Sequence, residues 1–271
     1  TEIHFQLNFL SENFSIDLLN YSKNNSMFLN VDIIGNLVKT GNWFHNLNTD
    51  FEILTNISKK IKNKSTILQV NASQYQNAGA TTIQQVAYAL AHGNEYLNII
   101  ERGKIAAQSS INFNFSVGSN YFFEIAKIRA FRYLWKLLCN DYSLTIDAHV
   151  FAQPSLRNKT LYDYNTNMLR TTTECMSAIL GGANTISNVS YDEVYHKKNE
   201  FGERISRNQL LILKEESYFK NAQIFADGTY YIESLTKEIA EKALNIFKDI
   251  EKSGGLLKQL KEGVIQRKIK E

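Results

Sequence analysis

Short runs with the two-residue alternation of a β-strand stand between longer runs with helical spacing, and this succession repeats along the whole chain. In the first run, Ile3 and Phe5 alternate with polar residues. The predicted strands cover residues 3–9, 27–34, 66–70, 111–117, 144–151 and 184–189. Strands that are joined by helices rather than by hairpin turns run parallel, because only a long crossover returns the chain to the same end of the sheet. The pattern therefore predicts an α/β fold with a parallel sheet.

The helical runs carry their own start and stop residues. Thr49 and Glu52 have the spacing of a capping box, Thr81 or Thr82 opens a later helix, and Gly93 is a typical helix end. The predicted helices cover residues 14–21, 49–64, 82–93, 95–108, 121–142, 165–180, 203–217 and 236–252. Pro154 is expected in the loop after the fifth strand.

Two architectures fit this order of elements. An open doubly wound sheet would need a glycine-rich loop after an early strand, and the sequence has none. A (β/α)8 barrel would need eight strand–helix units, and the sequence shows six. No linker rich in Pro, Gly or Ser divides the chain. We therefore expect one α/β domain over residues 1–200 and a helical extension over 201–271 that packs on it.

Composition excludes several function classes. The chain has 271 residues, and its 30 basic and 27 acidic side chains are scattered rather than clustered, so a nucleic-acid partner is not expected. No apolar run approaches the roughly 18 residues of a membrane span. Cys139 and Cys175 lie in apolar helical patterns, which predicts buried, reduced thiols and a cytoplasmic location. No metal site is expected, because no spacing typical of ligands joins the histidines His4, His45, His92, His149 and His196.

Several blocks after Asn71 carry a more specific pattern. The most distinctive is Glu124-Ile125-Ala126-Lys127 with Arg129-Ala130 inside residues 115–135. The other blocks are residues 76–97, 157–193, 201–217 and 227–255. Together they resemble the barrel domain of the adenosylcobalamin-dependent acyl-CoA mutases, the methylmalonyl-CoA mutase family above all, over roughly two thirds of the chain.

The resemblance implies a (β/α)8 barrel of the TIM type, in which the six strands are the third to the eighth. The first two units would lie upstream of Thr1. It also implies a separate cobalamin domain, whose Asp-x-His-x-x-Gly stretch ligates cobalt and is not found in this sequence. Adenosylcobalamin is therefore expected in a partner chain and not in this one.

The resemblance also locates the position of the chemistry. Catalytic family members carry a His-x-Gln pair at the end of the seventh strand, and an ungapped alignment places Phe151 and Gln153 there. A phenyl ring cannot donate the hydrogen bond that the histidine makes to the substrate carbonyl. We expect no catalytic residue in this chain, a degenerate pocket at Phe151 and Gln153, and substrate contacts, if any, from Gln153 and Arg157. A two-residue slip in the alignment would instead bring His149 to the catalytic position.

Three functions remain open at this stage. The first is the small, non-catalytic subunit of a heterodimeric methylmalonyl-CoA mutase, whose large subunit interconverts methylmalonyl-CoA and succinyl-CoA. The second is a catalytic barrel with its cobalamin domain elsewhere, and the third is a non-catalytic barrel that binds acyl-CoA. Among the charged residues, Glu124 and Lys127 are expected to pair on a helix surface, and Arg170 and Glu174 to pair one helical turn apart.

Overall fold

The computed structural model describes residues 2–21, 26–60, 65–106, 108–221 and 225–271. Its six strands form one parallel sheet in the order β1-β2-β3-β4-β5-β6. They are β1 Glu2–His4, β2 Ser26–Val31, β3 Ser65–Val70, β4 Ser110–Val117, β5 Asp147–Pro154 and β6 Thr185–Ile186. The predicted parallel α/β fold is confirmed as a six-stranded half-barrel. An eight-stranded barrel is not formed by the described residues.

Helices connect the strands and continue beyond the last one. They are α1 Glu12–Tyr21, α2 Ile33–Thr40, α3 Leu47–Lys59, α4 Ser73–Ala78, α5 Thr82–Glu101, α6 Tyr121–Asp141, α7 Thr166–Leu180, α8 Glu200–Leu211, α9 Tyr230–Lys252, α10 Leu256–Lys261 and α11 Val264–Lys270. A π-helical turn, Ile212–Glu216, follows α8 directly, and a 3-10 turn spans Phe219–Asn221. Within the described ranges, no helix combines the length and apolar character needed to cross a membrane.

The sheet is rolled, so that its inner face closes on itself. The ring of His4 on β1 lies 5.2 Å from the ring of Phe151 on β5, although three strands separate β1 from β5 in the sheet. At the two edges, the Thr185 hydroxyl of β6 lies 3.4 Å from the Glu2 carboxylate of β1. Alternate residues of each strand therefore point to the inside of the roll, and the others point to the surrounding helices.

Aromatic side chains join the outer face of β4 to α6. The ring of Phe113 lies 4.6 Å from that of Phe131 and 4.7 Å from that of Trp135. The indole N–H of Trp135 donates to the carbonyl of Ile146, 2.9 Å away, just before β5 begins. These fully buried rings fix α6 against the centre of the sheet, and large aromatic groups of this kind contribute much of the hydrophobic free energy of a core.

Helix α9 covers the groove between α5 and α6. Its buried face carries Ile239, Ala243 and Ile250, spaced four and seven residues apart, as expected for one helical stripe. The predicted helix 236–252 is thus present but begins six residues earlier, at Tyr230. Of the two cysteines, both predicted to be buried thiols, Cys139 packs in α6 and Cys175 in α7, and both are buried and free.

Two helix starts show how capping competes between neighbouring residues. Thr81 caps α5 and Gln84 reaches back to its amide, so the capping box expected near Thr81 is present. The capping residue of α3, however, is Asn46, whose side chain accepts from the Thr49 amide; the prediction that Thr49 caps this helix was wrong. The asparagine lies three residues earlier in an extended conformation, which lets its side chain accept from the amide of the third helical residue. The predicted helix end at residues 61–64 lies outside the described residues.

Strand boundaries also differ from the pattern. The predicted strand 144–151 is shifted, because β5 runs from Asp147 to Pro154. Pro154 is therefore the last residue of a strand rather than part of a loop. It is tolerated there because β6 pairs with β5 only at Phe151 and Ala152, so no ladder bond from residue 154 to β6 is needed.

Gly93 is expected from the sequence to end a helix, because glycine is typical of helix ends. The structure places it instead in the middle of the continuous helix α5. A Cβ atom built on Gly93 would meet Cζ3 of Trp135 at 2.5 Å and Cε1 of Phe113 at 3.2 Å. The glycine is therefore needed for the close approach of α5 to the aromatic rings between β4 and α6. Its role is packing, and helix termination occurs eight residues later, after Glu101.

We expect Gly93→Ala to lower the free energy of unfolding by about 1 to 3 kcal/mol, the usual cost of overpacking a core. The sign of this change is informative, because replacing glycine by alanine in a helix interior otherwise stabilises the helix by about 0.5 to 1 kcal/mol. Urea denaturation measures the change. In a Trp135→Leu background, which removes the indole, the same substitution should no longer destabilise. Equal stability of Gly93→Ala and the wild type would contradict this account.

Candidate functional site

The inner face of the rolled sheet is polar at its centre. On β4, the inward side chains are Asn112, Asn114 and Ser116, and all are buried. The Asn112 amide donates to the side-chain oxygen of Asn30 on β2, 2.7 Å away. Such a face is unlike the branched aliphatic layers that fill most barrels of this type. Because catalytic groups of such barrels lie at the carboxyl ends of the strands, that end of the sheet is the candidate site.

Phe151 and Gln153 occupy successive inward positions on β5. Phe151 lies opposite Asn114 of β4, and Gln153 lies opposite Ser116, nearer to the carboxyl end of the sheet. Both side chains are half-buried. The phenyl ring packs against the ring of His4, so the position that the resemblance assigns to a hydrogen-bond donor is filled by an apolar contact. Roles for these two residues in binding remain predictions.

Arg157 lies in the loop after β5. Its guanidinium Nη1 donates to the carbonyl of Gln76 in α4, 2.8 Å away, and its amide donates to the Ser155 hydroxyl. Ser155 in turn donates to the side-chain oxygen of Gln76, 2.9 Å away. These bonds tie the loop to α4. The guanidinium of Arg157 is thus engaged by backbone, and its predicted contact with substrate stays a prediction.

His149 points to the inside of the roll, two residues before Phe151 and one layer deeper. It lies opposite Asn112, and its Nε2 is 3.0 Å from the Thr185 hydroxyl. The ring lies 4.3 Å from that of Phe28. Burial, together with smaller contributions from the nearby His4 and Arg132, lowers the pKa of His149 to about 4. The ring is therefore neutral at physiological pH and set back from the carboxyl end of the sheet.

The described residues around His149 do not fit the cobalt-ligating motif. Asp147 and His149 have the spacing of the first two residues of Asp-x-His-x-x-Gly, but Ala152 stands where that motif has glycine. They also lie within a strand, and His149 is only 9% exposed. A side chain enclosed by Phe28 and His4 cannot reach a corrin ring, so we derive no chemistry for cobalamin on this chain.

A polar cavity of about 280 Å³ opens at the carboxyl ends of β1, β2 and β3. Its lining includes Asn30, Asp32, Lys39, Gln69 and Asn71. This volume is at or below the low end of ordinary ligand pockets, which begin at about 300 Å³. The cavity is lined by the loop after β1, by β2 and β3 near their carboxyl ends, and by residues of α2 and α4, whereas Phe151, Gln153 and Arg157 belong to β5 and its loop. The structure does not bring the predicted pocket residues into this cavity.

One wall of that cavity is organised by the Asp32 carboxylate. It accepts hydrogen bonds from the Gly35 amide at 2.7 Å, the Asn71 amide at 2.7 Å and the Tyr96 hydroxyl at 2.8 Å, and it lies 3.0 Å from Nε2 of His92. Burial alone would raise the pKa of Asp32, but the attraction of His92 and these hydrogen bonds hold it below its ordinary value. Asp32 thus fixes the start of α2 to β3 and α5.

The other nitrogen of His92 extends this network into the core. Nδ1 of His92 lies 3.1 Å from the Tyr75 hydroxyl, and both residues are buried. No role for Asp32 or His92 is predicted from the sequence. The sequence offers only a weak indication of this network: Asp32 follows a predicted strand pattern, and His92 and Tyr96 stand four residues apart on one helix face. Their meeting across 60 residues of chain follows only from the fold.

Two further buried charges lie on α6. Lys127 Nζ donates to the side-chain oxygen of Gln85 at 2.9 Å and to the carbonyl of Ser116 at 2.8 Å, and it pairs with Glu124. The prediction of a surface pair was wrong, because this face of α6 packs on α5 and on the carboxyl end of β4. Lys127 has 0% exposure and Glu124 has 5%.

Glu174 has a different partner from the one expected. Its carboxylate lies 2.7 Å from Nζ of Lys159, in the loop after β5, and each side chain is 1% exposed. Arg170 instead donates to the side-chain oxygen of Asn167 at 3.1 Å, so the predicted pair one helical turn apart was wrong. Burial lowers the pKa of Lys159 and raises that of Glu174, while their mutual attraction opposes both changes.

At the other end of the roll, Glu2, His4 and His149 come together. One potential metal-ligand atom of each lies within 4.8 Å of the others. The sequence predicts no metal site, because His4 and His149 are far apart along the chain. They meet because β1 and β5 face each other across the inside of the roll.

Comparison with known proteins places the chain among close relatives. A family model described as methylmalonyl-CoA mutase matches residues 22–271. The chain is 40% identical over 211 residues to the methylmalonyl-CoA mutase small subunit of Porphyromonas gingivalis, a match that covers 75% of this chain and 34% of that protein. It is 33% identical over 209 residues to the small subunit of Streptomyces virginiae, with 74% and 34% covered.

A relative described without a subunit is also similar. The methylmalonyl-CoA mutase of Rhizobium meliloti is 35% identical over 214 residues, which cover 75% of this chain and 30% of that protein. The chain spans about a third of the length of these curated relatives. The comparisons thus agree with the resemblance noted from the sequence blocks.

We expect Asp32→Asn to lower the free energy of unfolding by about 3 kcal/mol or more, because several buried donors lose a charged acceptor. Exposed Asp17→Asn should change it little and serves as the control. The folded-state pKa of Asp32 is lowered, so its stabilisation is complete above the ordinary value of 3.8 and is lost as pH falls below it. The stability difference between wild type and Asp32→Asn should shrink in that range. A pH-independent difference in urea titrations would argue against this role.

Proposed function

The chain belongs to the methylmalonyl-CoA mutase family, and from that premise we propose that it is the barrel of a small, non-catalytic subunit. In this proposal it supports a catalytic large subunit that interconverts methylmalonyl-CoA and succinyl-CoA in the cytoplasm. The observation that carries the proposal is Phe151, which stands where the family resemblance implies a catalytic histidine. The match to two proteins named as small subunits supports the same conclusion.

The chemistry at Phe151 explains why one residue matters. A histidine at this position would donate a hydrogen bond to an oxygen that gains charge during the reaction. Removing one such donor from an enzyme costs about 2.7 to 4 kcal/mol, or roughly 100- to 1,000-fold in rate. The phenyl ring offers no donor, and it packs on His4 rather than on an open pocket. Gln153 alone, one layer nearer the carboxyl end, cannot replace it.

A catalytic barrel with His149 as the donor is the main alternative. The position of that residue weighs against it. His149 lies one layer deeper than Phe151, its ring is enclosed by Phe28 and His4, and its Nε2 is engaged with Thr185. In barrels of this type the reacting groups project from the carboxyl ends of the strands, where a substrate enters.

Adenosylcobalamin belongs to the large subunit in this proposal. Bound there, the cofactor supplies the radical chemistry of the isomerisation. The present chain contributes a packed scaffold. Its buried charges, such as Lys159 with Glu174, hold the loop after β5 in place rather than reach a ligand.

Binding of acyl-CoA without catalysis is a second candidate function. The polar cavity near Lys39 and Asp32 is the observation in its favour, because an ammonium group among amides suits a phosphate or a carboxylate. Its volume of about 280 Å³ admits only part of such a ligand. Calorimetric titration of coenzyme A into the chain decides this point: absence of binding removes the candidate.

We expect the chain to form a stable one-to-one complex with the large subunit from the same genome when the two are produced together. Light scattering of the purified complex measures the mass. The chain alone, supplied with adenosylcobalamin, should not turn over methylmalonyl-CoA. In the complex, Phe151→Leu should leave turnover unchanged, because that side chain has no chemical role.

The outcomes separate the alternatives. Turnover by the chain without the large subunit would overturn the non-catalytic assignment. A chain that stays alone in the presence of the large subunit would overturn the subunit assignment. Loss of turnover on Phe151→Leu, with the complex intact, would place this position in the active site after all.

A further inference from the structure

The cluster of Glu2, His4 and His149 lies one layer below Phe151, toward the amino-terminal end of the rolled sheet. Glu2 and His4 are two residues apart on β1 and therefore share its inward face. His149 projects toward them from the amino-terminal half of β5, opposite Asn112. The proposed subunit role assigns no chemistry to these three side chains, although the ring of His4 also packs on Phe151.

His4 is not arranged like a satisfied core residue. Within the part of the chain that the structure describes, both ring nitrogens of His4 are buried and have no hydrogen-bond partner. A buried polar atom without a partner costs free energy, and native structures usually supply a protein group, a water molecule or an ion to it. The ring is held in place by Phe28, which stacks on it at 4.2 Å with the two planes 3° apart.

We infer that Glu2, His4 and His149 form a binding site for one divalent transition-metal ion of the zinc type. Two imidazoles and one carboxylate are a ligand set that zinc commonly takes in proteins, with the fourth position left to water. The candidate ligand atoms lie within 4.8 Å of one another. Tetrahedral zinc with bonds of about 2.0 to 2.1 Å needs them about 3.4 Å apart, so no pair of ligand atoms has to approach by more than about 1.4 Å.

The surroundings of the cluster favour a bound cation. The ring of Phe28 lies 4.2 Å from that of His4 and 4.3 Å from that of His149, so one apolar wall holds the two imidazoles beside each other. Glu2 supplies a negative charge beside them. The Thr185 hydroxyl lies 3.0 Å from Nε2 of His149 and 3.4 Å from the Glu2 carboxylate, so it can orient one of the ligands by an outer hydrogen bond.

A metal here would have a structural effect as well. β1 has only three residues and pairs with β2 alone. A metal that joins Glu2 and His4 to His149 would fasten this short edge strand to β5 across the inside of the roll. Because binding requires the folded arrangement, occupancy would stabilise the folded chain.

The test uses the full chain, first treated with a chelator and then titrated with cobalt(II) as a spectroscopic substitute for zinc. We expect visible absorption bands typical of a tetrahedral site, saturation at one ion per chain, and displacement of cobalt by zinc. Zinc should also raise the thermal midpoint of unfolding. These readouts need neither the large subunit nor turnover, so they are independent of the proposed function.

Variants identify the ligands. His4→Gln and His149→Gln should each weaken zinc binding by more than the roughly 10- to 100-fold that loss of an outer-sphere partner costs. His196→Gln is the matched control, since its side chain is 61% exposed beside Asp192 and lies outside the cluster. Circular dichroism of the metal-free variants checks that they fold. If His4→Gln or His149→Gln does not fold, Glu2→Gln replaces it, since Glu2 is exposed, and this variant should also weaken zinc binding.

Three results would overturn the proposal. The first is absence of tetrahedral cobalt bands in the wild-type chain. The second is zinc affinity that is the same in the wild type and in the folded ligand variants. The third is binding that disappears in His196→Gln, which would place the ion at an exposed surface histidine instead.

Discussion

The close contact between α5, α6 and the outer face of β4 is the constraint on which the rest of the structure depends. Gly93 lets the indole of Trp135 approach the α5 backbone, and Phe113 fills the space between that indole and the sheet. With both helices held at this distance, α9 finds a groove of fixed width to cover. The opposite face of β4, with Asn112, Asn114 and Ser116, lines the inside of the roll.

The curvature of the sheet also has an electrostatic consequence on its inner face. The inner face is narrow, so side chains from distant strands meet there, and polar groups can satisfy one another without water. Asn30 with Asn112 and Asn71 with Asn114 are such pairs. Toward the carboxyl ends, Asp32 accepts hydrogen bonds from α2, from the residue after β3 and from α5, and Glu174 of α7 pairs with Lys159 in the loop after β5. Each of these two carboxylates therefore joins elements of the fold that neighbour each other in space.

Local patterns in the sequence predicted the order and direction of the strands, because two-residue and helical periodicities depend on which face is buried. These local patterns gave wrong predictions where the role of a residue depends on tertiary contacts. Gly93 resembles a helix terminator when only its own backbone freedom is considered, and Glu174 resembles a partner of Arg170 when only helical spacing is considered. The indole of Trp135 and the ammonium of Lys159 decide these cases, and neither is close in sequence.

The candidate site also contains features that the sequence predicted and features that only the structure shows. The family resemblance pointed to Phe151 and Gln153 as neighbours on one strand, and the structure places both on the inward face of β5. It gave no indication of the Asp32–His92 network or of the meeting of His4 with His149. Such clusters arise from contacts across the rolled sheet. A single sequence contains no periodicity that reports them.

The buried pair of Lys159 and Glu174 has a consequence for motion. In many barrels the loops at this end of the sheet move on the fast timescale of exposed segments. Here, lifting the loop after β5 would separate two charges that are each 1% exposed. The part of the loop around Lys159 should therefore open only through local unfolding, and the hydrogen-bonded amide of Thr160 should exchange with solvent more slowly than those of the exposed residues 161–165. Around Lys159, the loop after β5 is thus a fixed part of this end of the roll and does not open and close over it.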